Sequence, residues 1–252
     1  MDLGLKGKRA VVTGGSKGIG RAIALGLAEE GANVAICARG EGPLKETEGA
    51  LRAQGVETYA RTADLTDAQA LEDFLEESRE RLGGIDILVN NASALGVGND
   101  LAAWQTNVRL DLMASVRASE KVVPWMREAG GGSILFISSI AGLEVGGSTA
   151  PYSAVKAALI NYSKYLAVSL GKDRIRVNAI APGSIEFEGG VWDRARRNDP
   201  DRYASALARI PWGRLGEPDE VAGVAVFLAS ERASWVTGAC VPVDGAQHRG
   251  NL

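Results

Sequence analysis

The chain has 252 residues, a length that one hydrophobic core can still serve, so a single domain over residues 1–252 is expected. Its 28 basic and 31 acidic residues give a net charge of −3, which offers no positive field for nucleic acid. One His and two Cys exclude His-rich metal sites and a disulfide scaffold, and they argue against a Ser-His-Asp hydrolase. The charged first residues lack an apolar leader and no apolar run is long enough to span a bilayer, so a cytoplasmic protein is expected.

Short apolar runs alternate with helical patterns along the chain. Strands are predicted at residues 9–13, 33–38, 58–61, 85–89, 133–137, 174–180 and 239–243, and helices at 19–30, 43–53, 67–82, 100–129, 151–170 and 217–230. This alternation is typical of βαβ units, and it predicts an α/β fold with one doubly wound, Rossmann-type parallel sheet covered by helices on both faces. Residues 184–212 form an irregular segment rich in aromatic and charged residues, and we expect a substrate lid there.

A glycine-rich segment, Thr13 to Gly20, joins the first strand to the first helix and accounts for part of the chain's 32 glycines. Glycine lets such a loop approach a pyrophosphate closely, and the helix N-terminus offers free N–H groups to the anion. Between a strand and a helix, the segment predicts a dinucleotide site, whereas the P-loop pattern of nucleoside triphosphatases is absent. The predicted contacts of this loop are Gly14, Ser16, Lys17, Gly18, Ile19 and Gly20.

The end of the second strand indicates which dinucleotide is bound. An NAD-selective site usually has Asp or Glu at this position, but here Ala38 is followed by Arg39. A guanidinium can pair with a 2′-phosphate through two hydrogen bonds, and Lys17 adds a second positive charge nearby. We therefore predict NADP(H) as the cofactor, with NAD(H) as the alternative. Both cations also fit a solvated surface, where most Lys and Arg lie.

Tyr152 and Lys156 are four residues apart in a predicted helix, and so lie on one face of it. A free phenol, with a pKa of about 10, is a poor acid at neutral pH, and a neighbouring ammonium group favours the phenolate. Ser139, at the end of a predicted strand, can hydrogen-bond the oxygen of a carbonyl or an alcohol. These residues predict hydride transfer from nicotinamide to a carbonyl carbon while Tyr152 protonates the oxygen, or the reverse oxidation. The competing interpretation is a chance pairing of Tyr and Lys on an amphipathic helix.

With these motifs the sequence resembles the short-chain dehydrogenase/reductase family, close to its 3-oxoacyl-carrier-protein reductase-like branch. The resemblance covers essentially the whole chain. The motifs that carry it are the Thr13–Gly20 loop, Asp64-Leu65, Asn90-Asn91-Ala92, Ser139 with Tyr152 to Lys156, and Asn178 to Gly183. It implies an NADP(H)-dependent oxidoreductase acting on a ketone or secondary alcohol, assembled as a homotetramer.

The resemblance also implies further contacts with the cofactor. These would be Asp64 and Leu65 at the adenine, Asn91 and Ala92 at the adenosine ribose, Pro182, Gly183 and Ile185 at the nicotinamide, and Lys156 with Tyr152 at the nicotinamide ribose. Asn90 and Asn91 also fit a structural role in holding the parallel strands together.

Several positions depart from the family pattern. Asp111 stands where the family usually has a catalytic Asn; we expect its carboxylate either to pair with the Lys156 region and keep a modified proton relay, or to be merely solvated. Asn107, one turn earlier, is a candidate for the missing amide. Phe187 replaces a Thr that binds the nicotinamide carboxamide, and is expected to cover the cofactor or shape an apolar pocket. Ser93 replaces a common Gly.

Two other functions fit parts of the sequence: an NAD-dependent dehydrogenase of the same family, and a non-catalytic dinucleotide sensor. The substrate itself is indicated only loosely, with Glu144, Val145 and Trp192 as candidate pocket residues. Arg196 and Arg197, together with Arg194, would suit an acidic carrier or a phosphorylated substrate. Because Asp193 and Asp199 are close in sequence, a balanced solvated face is the favoured interpretation of these arginines.

Overall fold

The strands in the structure lie close to the predicted positions. A computed structural model describes residues 2–95, 98–145 and 149–250. Within these ranges the strands are β1 (Arg9–Thr13), β2 (Asn33–Ala38), β3 (Thr58–Thr62), β4 (Ile87–Asn90), β5 (Gly132–Ile137), β6 (Ile175–Pro182) and β7 (Cys240–Val243). They form one parallel sheet with the order β3-β2-β1-β4-β5-β6-β7. The predicted doubly wound parallel sheet is therefore confirmed.

The order of the strands reverses between β1 and β4, and this reversal positions the site. Val12 of β1 lies beside Ile36 of β2 on one side and Val89 of β4 on the other. Open α/β sheets bind ligands in the crevice beyond the carboxyl ends of the strands at such a reversal. The loops that follow β1 and β4 therefore meet at the place where the glycine-rich segment begins.

Helices cover both faces of the sheet. In the described ranges they are α1 (Gly18–Glu29), α2 (Glu41–Ala53), α3 (Ala68–Leu82), α4 (Leu101–Asn107), α5 (Ala114–Glu128), α6 (Ala150–Leu170), α7 (Val191–Asn198), α8 (Pro200–Leu207) and α9 (Pro218–Ala229). The residues of α1, α2 and α9 share one hydrophobic core, and those of α3, α5 and α6 share the other. No helix in the described part of the chain is long and apolar enough to cross a membrane.

The central strands read as continuous apolar runs because both of their faces are buried. In β1, Ala10 and Val12 point into the core beneath α1 and α9, whereas Val11 points into the opposite core. All three side chains are fully buried. Strand β6 runs two residues farther than predicted, through Pro182. The proline is tolerated because it is the last residue of the strand, so its missing N–H does not interrupt the hydrogen bonds of the sheet.

The long helix predicted at residues 100–129 is interrupted. A π-helical turn, Val108–Met113, separates α4 from α5. Leu110 and Asp111 are buried in this turn, and the Asp111 carbonyl accepts a hydrogen bond from the Ser115 hydroxyl at 2.8 Å. Because a π turn adds a residue to the helical repeat, it changes which side chains face the sheet, and such turns are frequent at functional sites.

Residues 184–212 are more regular than the sequence predicted, since they contain both α7 and α8. Asp199 caps α8 by accepting a hydrogen bond from the Arg202 N–H, and Pro200 occupies the first turn. An Asp-Pro pair is a helix-start signal, so this helix was detectable in the sequence. The side chain of Asp193 fixes the start of α7 by accepting a hydrogen bond from the Gly189 N–H at 2.8 Å.

Candidate active site

The glycine-rich loop after β1 is shaped by close backbone contacts. A Cβ atom on Gly20 would lie 2.3 Å from both the Gly14 carbonyl oxygen and the Asn91 amide nitrogen, so only glycine fits. That Asn91 amide donates to the carbonyls of Thr13 and Gly14, at 2.9 and 3.1 Å. Asn91 therefore has the structural role considered for it, and it holds the loop against the end of β4.

The N-terminus of α1 opens into a cleft that runs along the carboxyl ends of the strands. The cleft has a volume of about 1230 Å³, and Ser16, Lys17 and Ile19 line it at this point. Lys17 is the N-cap residue, and within the described chain no side chain caps the helix. The first N–H groups of α1 and the positive end of its dipole are thus available to an anion such as a pyrophosphate.

The ring of Phe187 lies over this loop. A Cβ atom on Gly18, whose φ is +52°, would be 2.6 Å from the Phe187 ring, so the aromatic side chain rests directly on the glycine. The ring thus covers the glycine-rich loop itself, and the two roles expected for Phe187 toward a cofactor or a pocket stay predictions. A residue with a Cβ atom in place of Gly18 would leave no room for the Phe187 ring.

The part of the cleft where adenosine is expected lies after β2 and β3. Arg39 is exposed and lines the cleft beside Ala38, and Leu65 lines it from the next loop. Asp64 is not among the lining residues; its carboxylate accepts hydrogen bonds from the backbone and the hydroxyl of Thr66, at 3.0 and 2.9 Å. These bonds, followed by the positive charge of Arg39, hold the pKa of Asp64 below its usual value.

Ser139 follows β5 and lines the centre of the cleft. Its backbone is extended, and its Oγ accepts a hydrogen bond from the Ala141 N–H at 3.1 Å, which caps the short helical turn Ile140–Gly142. This contact uses an oxygen lone pair, so the hydroxyl hydrogen can still be donated to a ligand. A Cβ atom on Gly142 would lie 2.7 Å from the backbone of Lys156, so this turn packs directly on α6.

Tyr152 and Lys156 lie on the face of α6 that lines the same cleft. The Lys156 Nζ is 5.4 Å from the centre of the Tyr152 ring, and Lys156 is only 2% exposed. The Nζ donates to the Ile137 carbonyl at 3.1 Å. The structure therefore brings the Tyr, the Lys and the end of β5 together, as the four-residue spacing predicted.

A buried carboxylate lies behind the lysine. The Asp111 Oδ2 is 3.3 Å from the Lys156 Nζ, and the two side chains are 0% and 2% exposed. The same carboxylate accepts hydrogen bonds from the Ser93 hydroxyl and from the Ala94 N–H, the latter at 2.7 Å. Asp111 is therefore paired with Lys156 rather than solvated. It also ties the lysine to the loop that follows β4.

Asn107 is buried, and its side chain makes a hydrogen bond within its own helix. The Asn107 Nδ2 donates to the Ala103 carbonyl at 2.8 Å. Its Oδ1 has no hydrogen-bond partner among the described residues. The structure thus gives no contact between Asn107 and the Lys156–Asp111 pair. The π turn begins directly after Asn107 and contains Asp111, so their four-residue spacing does not have the geometry of a regular α-helix.

The far end of the cleft is closed by the segment after β7, which the sequence analysis did not include in the site. Pro182, Gly183 and Ile185 line the cleft here together with Gln247. Gln247 accepts a hydrogen bond from the Ser184 N–H at 2.8 Å and donates to the Ser184 hydroxyl at 3.0 Å. No sequence signal connects positions this far apart in the chain.

Cysteine and metal chemistry are not favoured by these residues. Burial raises the pKa of the Cys37 thiol to about 12 and that of Cys240 to about 11, so both thiols are unreactive at neutral pH. The described residues contain no group of three or more His, Cys, Asp or Glu side chains arranged to hold a metal ion. The cleft instead combines a helix N-terminus, cations and hydroxyl groups. This donor set, with a glycine cradle that a Cβ atom would fill, suits a dinucleotide.

Known proteins are similar to this chain along nearly its full length. Residues 14–248 match the model of the family described as enoyl-(acyl carrier protein) reductase. The chain is 37% identical over 253 residues to 3-oxoacyl-(acyl-carrier-protein) reductase of Escherichia coli K12, with 98% of this chain and 99% of that protein covered. It is 36% identical over 257 residues to isoepoxydon dehydrogenase of Penicillium expansum, with 99% and 98% covered.

A solved structure is equally similar. L-sorbose reductase from Gluconobacter frateurii, complexed with NADPH and L-sorbose, superposes with a TM-score of 0.91 at 36% identity. The match covers 99% of this chain and 100% of that one. The similar proteins act on chemically different compounds, so their names agree on a type of reaction and not on a substrate.

Proposed function

The chain belongs to the short-chain dehydrogenase/reductase family, and we propose that its cleft reduces a ketone with NADPH or oxidises the corresponding secondary alcohol with NADP⁺. The predicted enzyme class, an oxidoreductase acting on CH–OH groups with NAD(P), is confirmed by these relatives. The observation that carries the proposal is the meeting of Ser139, Tyr152 and Lys156 in one cleft with the glycine loop.

The proposed roles of the residues follow from their chemistry. Ser139 donates a hydrogen bond to the substrate oxygen, and Tyr152 transfers its hydroxyl proton to that oxygen. The ammonium of Lys156 stabilises the phenolate that Tyr152 becomes. Asp111 holds the Lys156 ammonium in place through their ion pair. When bound, reduced nicotinamide supplies the hydride that the carbonyl carbon accepts.

The residues around the glycine loop support a site for the cofactor. Gly14, Ser16, Lys17, Ile19, Gly20, Asn91 and Ala92 line the cleft at its pyrophosphate and ribose section. Gly18 shapes the loop beneath Phe187. Asp64 does not line the cleft but interacts electrostatically with Arg39, which does. We assign Pro182, Gly183 and Ile185 to the nicotinamide end, together with Gln247.

The preference for NADP(H) over NAD(H) rests on Arg39. Its guanidinium lines the cleft, makes no ion pair with any described residue, and follows Ala38 where a carboxylate would repel a 2′-phosphate. Lys17, on the neighbouring loop, adds a second positive charge.

Replacing Arg39 by Ala should weaken NADPH binding about ten- to hundredfold, the loss expected for hydrogen bonds to a charged group. NADH binding should change little, because NADH lacks the 2′-phosphate. Dissociation constants from the fluorescence of bound NADPH and NADH measure both effects. Arg52→Ala is the matched control, because Arg52 is exposed and pairs with Glu48 away from the cleft. If Arg39→Ala keeps the NADPH preference of the parent, the assignment of the cofactor fails.

We propose that residues 1–252 act as one domain and that residues 184–212 form its lid. The lid is held at its base, where Glu186 accepts a hydrogen bond from the Tyr203 hydroxyl at 3.1 Å and Ile185 pairs with Gly216. Its helices α7 and α8 line one wall of the cleft. This arrangement lets the lid cover a substrate without losing its attachment to β6.

A homotetramer and a cytoplasmic location are proposed as well. Two aromatic side chains near α9 and β7 support the assembly, since Phe227 is 42% exposed and Trp235 is 98% exposed. Phe227 lies on α9, and Trp235 lies between α9 and β7. Unpaired cysteines support the location, because Cys37 and Cys240 are free thiols, as is usual in a reducing compartment.

Light scattering should give four times the chain mass for the parent protein. A double variant, Phe227→Asp with Trp235→Ser, should lower that mass, because the introduced charge would be buried without a partner in the assembly. Arg52→Ala, which changes an exposed charged residue on α2, is the control and should leave the mass unchanged. A double variant with the parent's mass would place the interface elsewhere.

The direct test of function is a screen for NADPH consumption over 3-oxoacyl thioesters, cyclic ketones, sugars and steroids. Turnover of at least one class is expected. Tight binding of NADPH together with inactivity across all classes would instead favour the dinucleotide sensor.

A further inference from the structure

The lid carries two sets of arginines with different surroundings. Arg196 and Arg197 lie on the outer side of α7 and share the carboxylate of Asp193, with N–O distances of 3.1 and 2.8 Å. Arg196 also contacts Glu186 at 3.3 Å. The charges of this set are balanced, as the sequence indicated, but the face is solvated only at the exposed arginines, because the Asp193 carboxylate they share is buried.

The other set faces the cleft. Arg194, Arg202 and Arg209 line it, and none of the three forms an ion pair with a described carboxylate. Arg194 donates to the Gly189 carbonyl at 3.0 Å, close to the residues that cover the glycine loop. The guanidinium carbon of Arg202 lies 5.6 Å from the centre of the Trp192 ring, within the range of a cation–π interaction.

Arg202 and Arg209 share one side of the lid. Arg202 lies on α8, and Arg209 lies in the turn that follows the end of this helix at Leu207; both line the cleft. The chain just after Arg209 packs on the segment that closes the far end of the cleft, since a Cβ atom on Gly245 would lie 3.3 Å from Ile210. That segment in turn packs on Gly183, where a Cβ atom would lie 2.7 Å from Asp244 and Gln247. Arg209 is therefore at the Gly183 end of the cleft.

The two positive regions of the cleft are separate. Arg39 follows β2, and the lid follows β6, four strand positions away in the sheet. At about 4.8 Å for each position, the ends of these strands are roughly 19 Å apart. The cations at the Arg39 end are thus assigned to the adenosine half of a dinucleotide.

The charge of the cleft is not balanced at the lid. Its acidic lining residues are Glu144 and Asp199, and both are engaged by backbone N–H groups, those of Arg249 and Arg202. Lys156 has its own partner in Asp111. Both carboxylates keep their negative charge, so the positive excess at the lid comes from the three arginines that outnumber them, in a chain whose net charge is −3.

We propose that the substrate is a ketone or secondary alcohol that carries an anionic oxygen group, a carboxylate or a phosphate, and that Arg202 and Arg209 bind this group. The inference rests on the proposed function and names the substrate class of the same site. A guanidinium pairs with either anion through two hydrogen bonds, and it is costly to cover with a neutral ligand because its donors lose water without gaining acceptors. Trp192 supplies the apolar surface beside the anion.

The test compares matched ligands on matched variants. The ligands are oxo acids of increasing chain length, each beside its methyl ester, and ketose phosphates beside the free sugars. The variants are Arg202→Gln, Arg209→Gln and the double substitution. Arg197→Gln is the control, since it removes the same charge from the outer side of the lid and leaves Asp193 paired with Arg196. Calorimetry on the NADP⁺ complex gives affinity, NADPH consumption gives KM and kcat, and NADPH fluorescence gives the affinity for the cofactor.

The expected result is that an acid or a phosphate binds and reacts in preference to its neutral counterpart. The preference should fall about ten- to hundredfold in the double variant, through KM rather than kcat, and should persist in Arg197→Gln. The acid and phosphate arms decide which anion is used. Equal affinity of charged and neutral ligands, or a preference that survives the double substitution, would overturn the inference.

Failure of the proposed function has a different signature. If the anionic ligands bind through Arg202 and Arg209 but none consumes NADPH, the subsite stands and the catalytic proposal falls. If the double variant loses affinity for NADPH instead, the arginines serve the cofactor and the inference is wrong.

Discussion

Tyr152→Phe should lower kcat by about a hundred- to ten-thousandfold, the range that a general acid contributes. The substitution removes only the hydroxyl, so the ring keeps its place beside Lys156 and the thermal stability should hardly change. NADPH binding should persist, because the glycine loop and Arg39 are untouched. The measurement is the rate of NADPH oxidation under saturating substrate, together with the melting temperature.

Tyr165→Phe is the matched control for this experiment, because Tyr165 lies on the same helix and is 66% exposed. It should keep the parent rate. Full turnover by Tyr152→Phe would remove the proton donor from the mechanism, and the assignment of Ser139 and Lys156 would fall with it.

Asp111→Ala should cost about 3–5 kcal/mol of folding free energy, because it leaves the buried Lys156 ammonium without its carboxylate. For a protein of this size the loss corresponds to a fall of about 6–20 °C in melting temperature. Activity should fall as well, since Lys156 is no longer held beneath Tyr152. Calorimetric melting and NADPH oxidation at matched temperatures measure the two effects.

Two further variants separate charge from packing. Asp111→Asn keeps one oxygen that can accept from the Ala94 N–H, while its amide NH2 group can donate to the Ser93 hydroxyl oxygen. It removes the negative charge beside Lys156, so the pH dependence of kcat should change even if the protein folds. Asp173→Ala breaks the exposed pair with Arg127 and should cost about 1 kcal/mol or less. An Asp111→Asn variant with the parent's rate and pH profile would show that the carboxylate takes no part in the proton relay.

Local patterns in the sequence were sufficient to predict the sheet and the main elements of the site. β1 and β2 lie at the predicted residues because both are short apolar runs buried on both faces. The spacing of Tyr152 and Lys156 determined their common face on α6, since only the helical repeat is needed for that inference.

Features that depend on departures from the regular repeat were not predictable. The periodicity of apolar residues continues through the π turn at Asp111, so the sequence suggested one helix and an equivalent position for Asn107. The orientation of the lid arginines was equally hidden, because Arg194 and Arg197 are close in sequence but face the cleft and the solvent. Gln247 enters the site only through the packing of the chain after β7.

The contact between Asn91 and the glycine loop has a consequence for how the protein folds. The Asn91 amide reaches carbonyls 77 and 78 positions earlier in the chain, and the Asn91 N–H also donates to the Thr13 hydroxyl at 3.0 Å. A chain that has assembled only β1, β2 and β3 would carry the complete glycine motif but would lack the group that shapes it. Competence to hold a dinucleotide thus arises when β4 docks beside β1, so cofactor affinity reports long-range topology and not the presence of a motif.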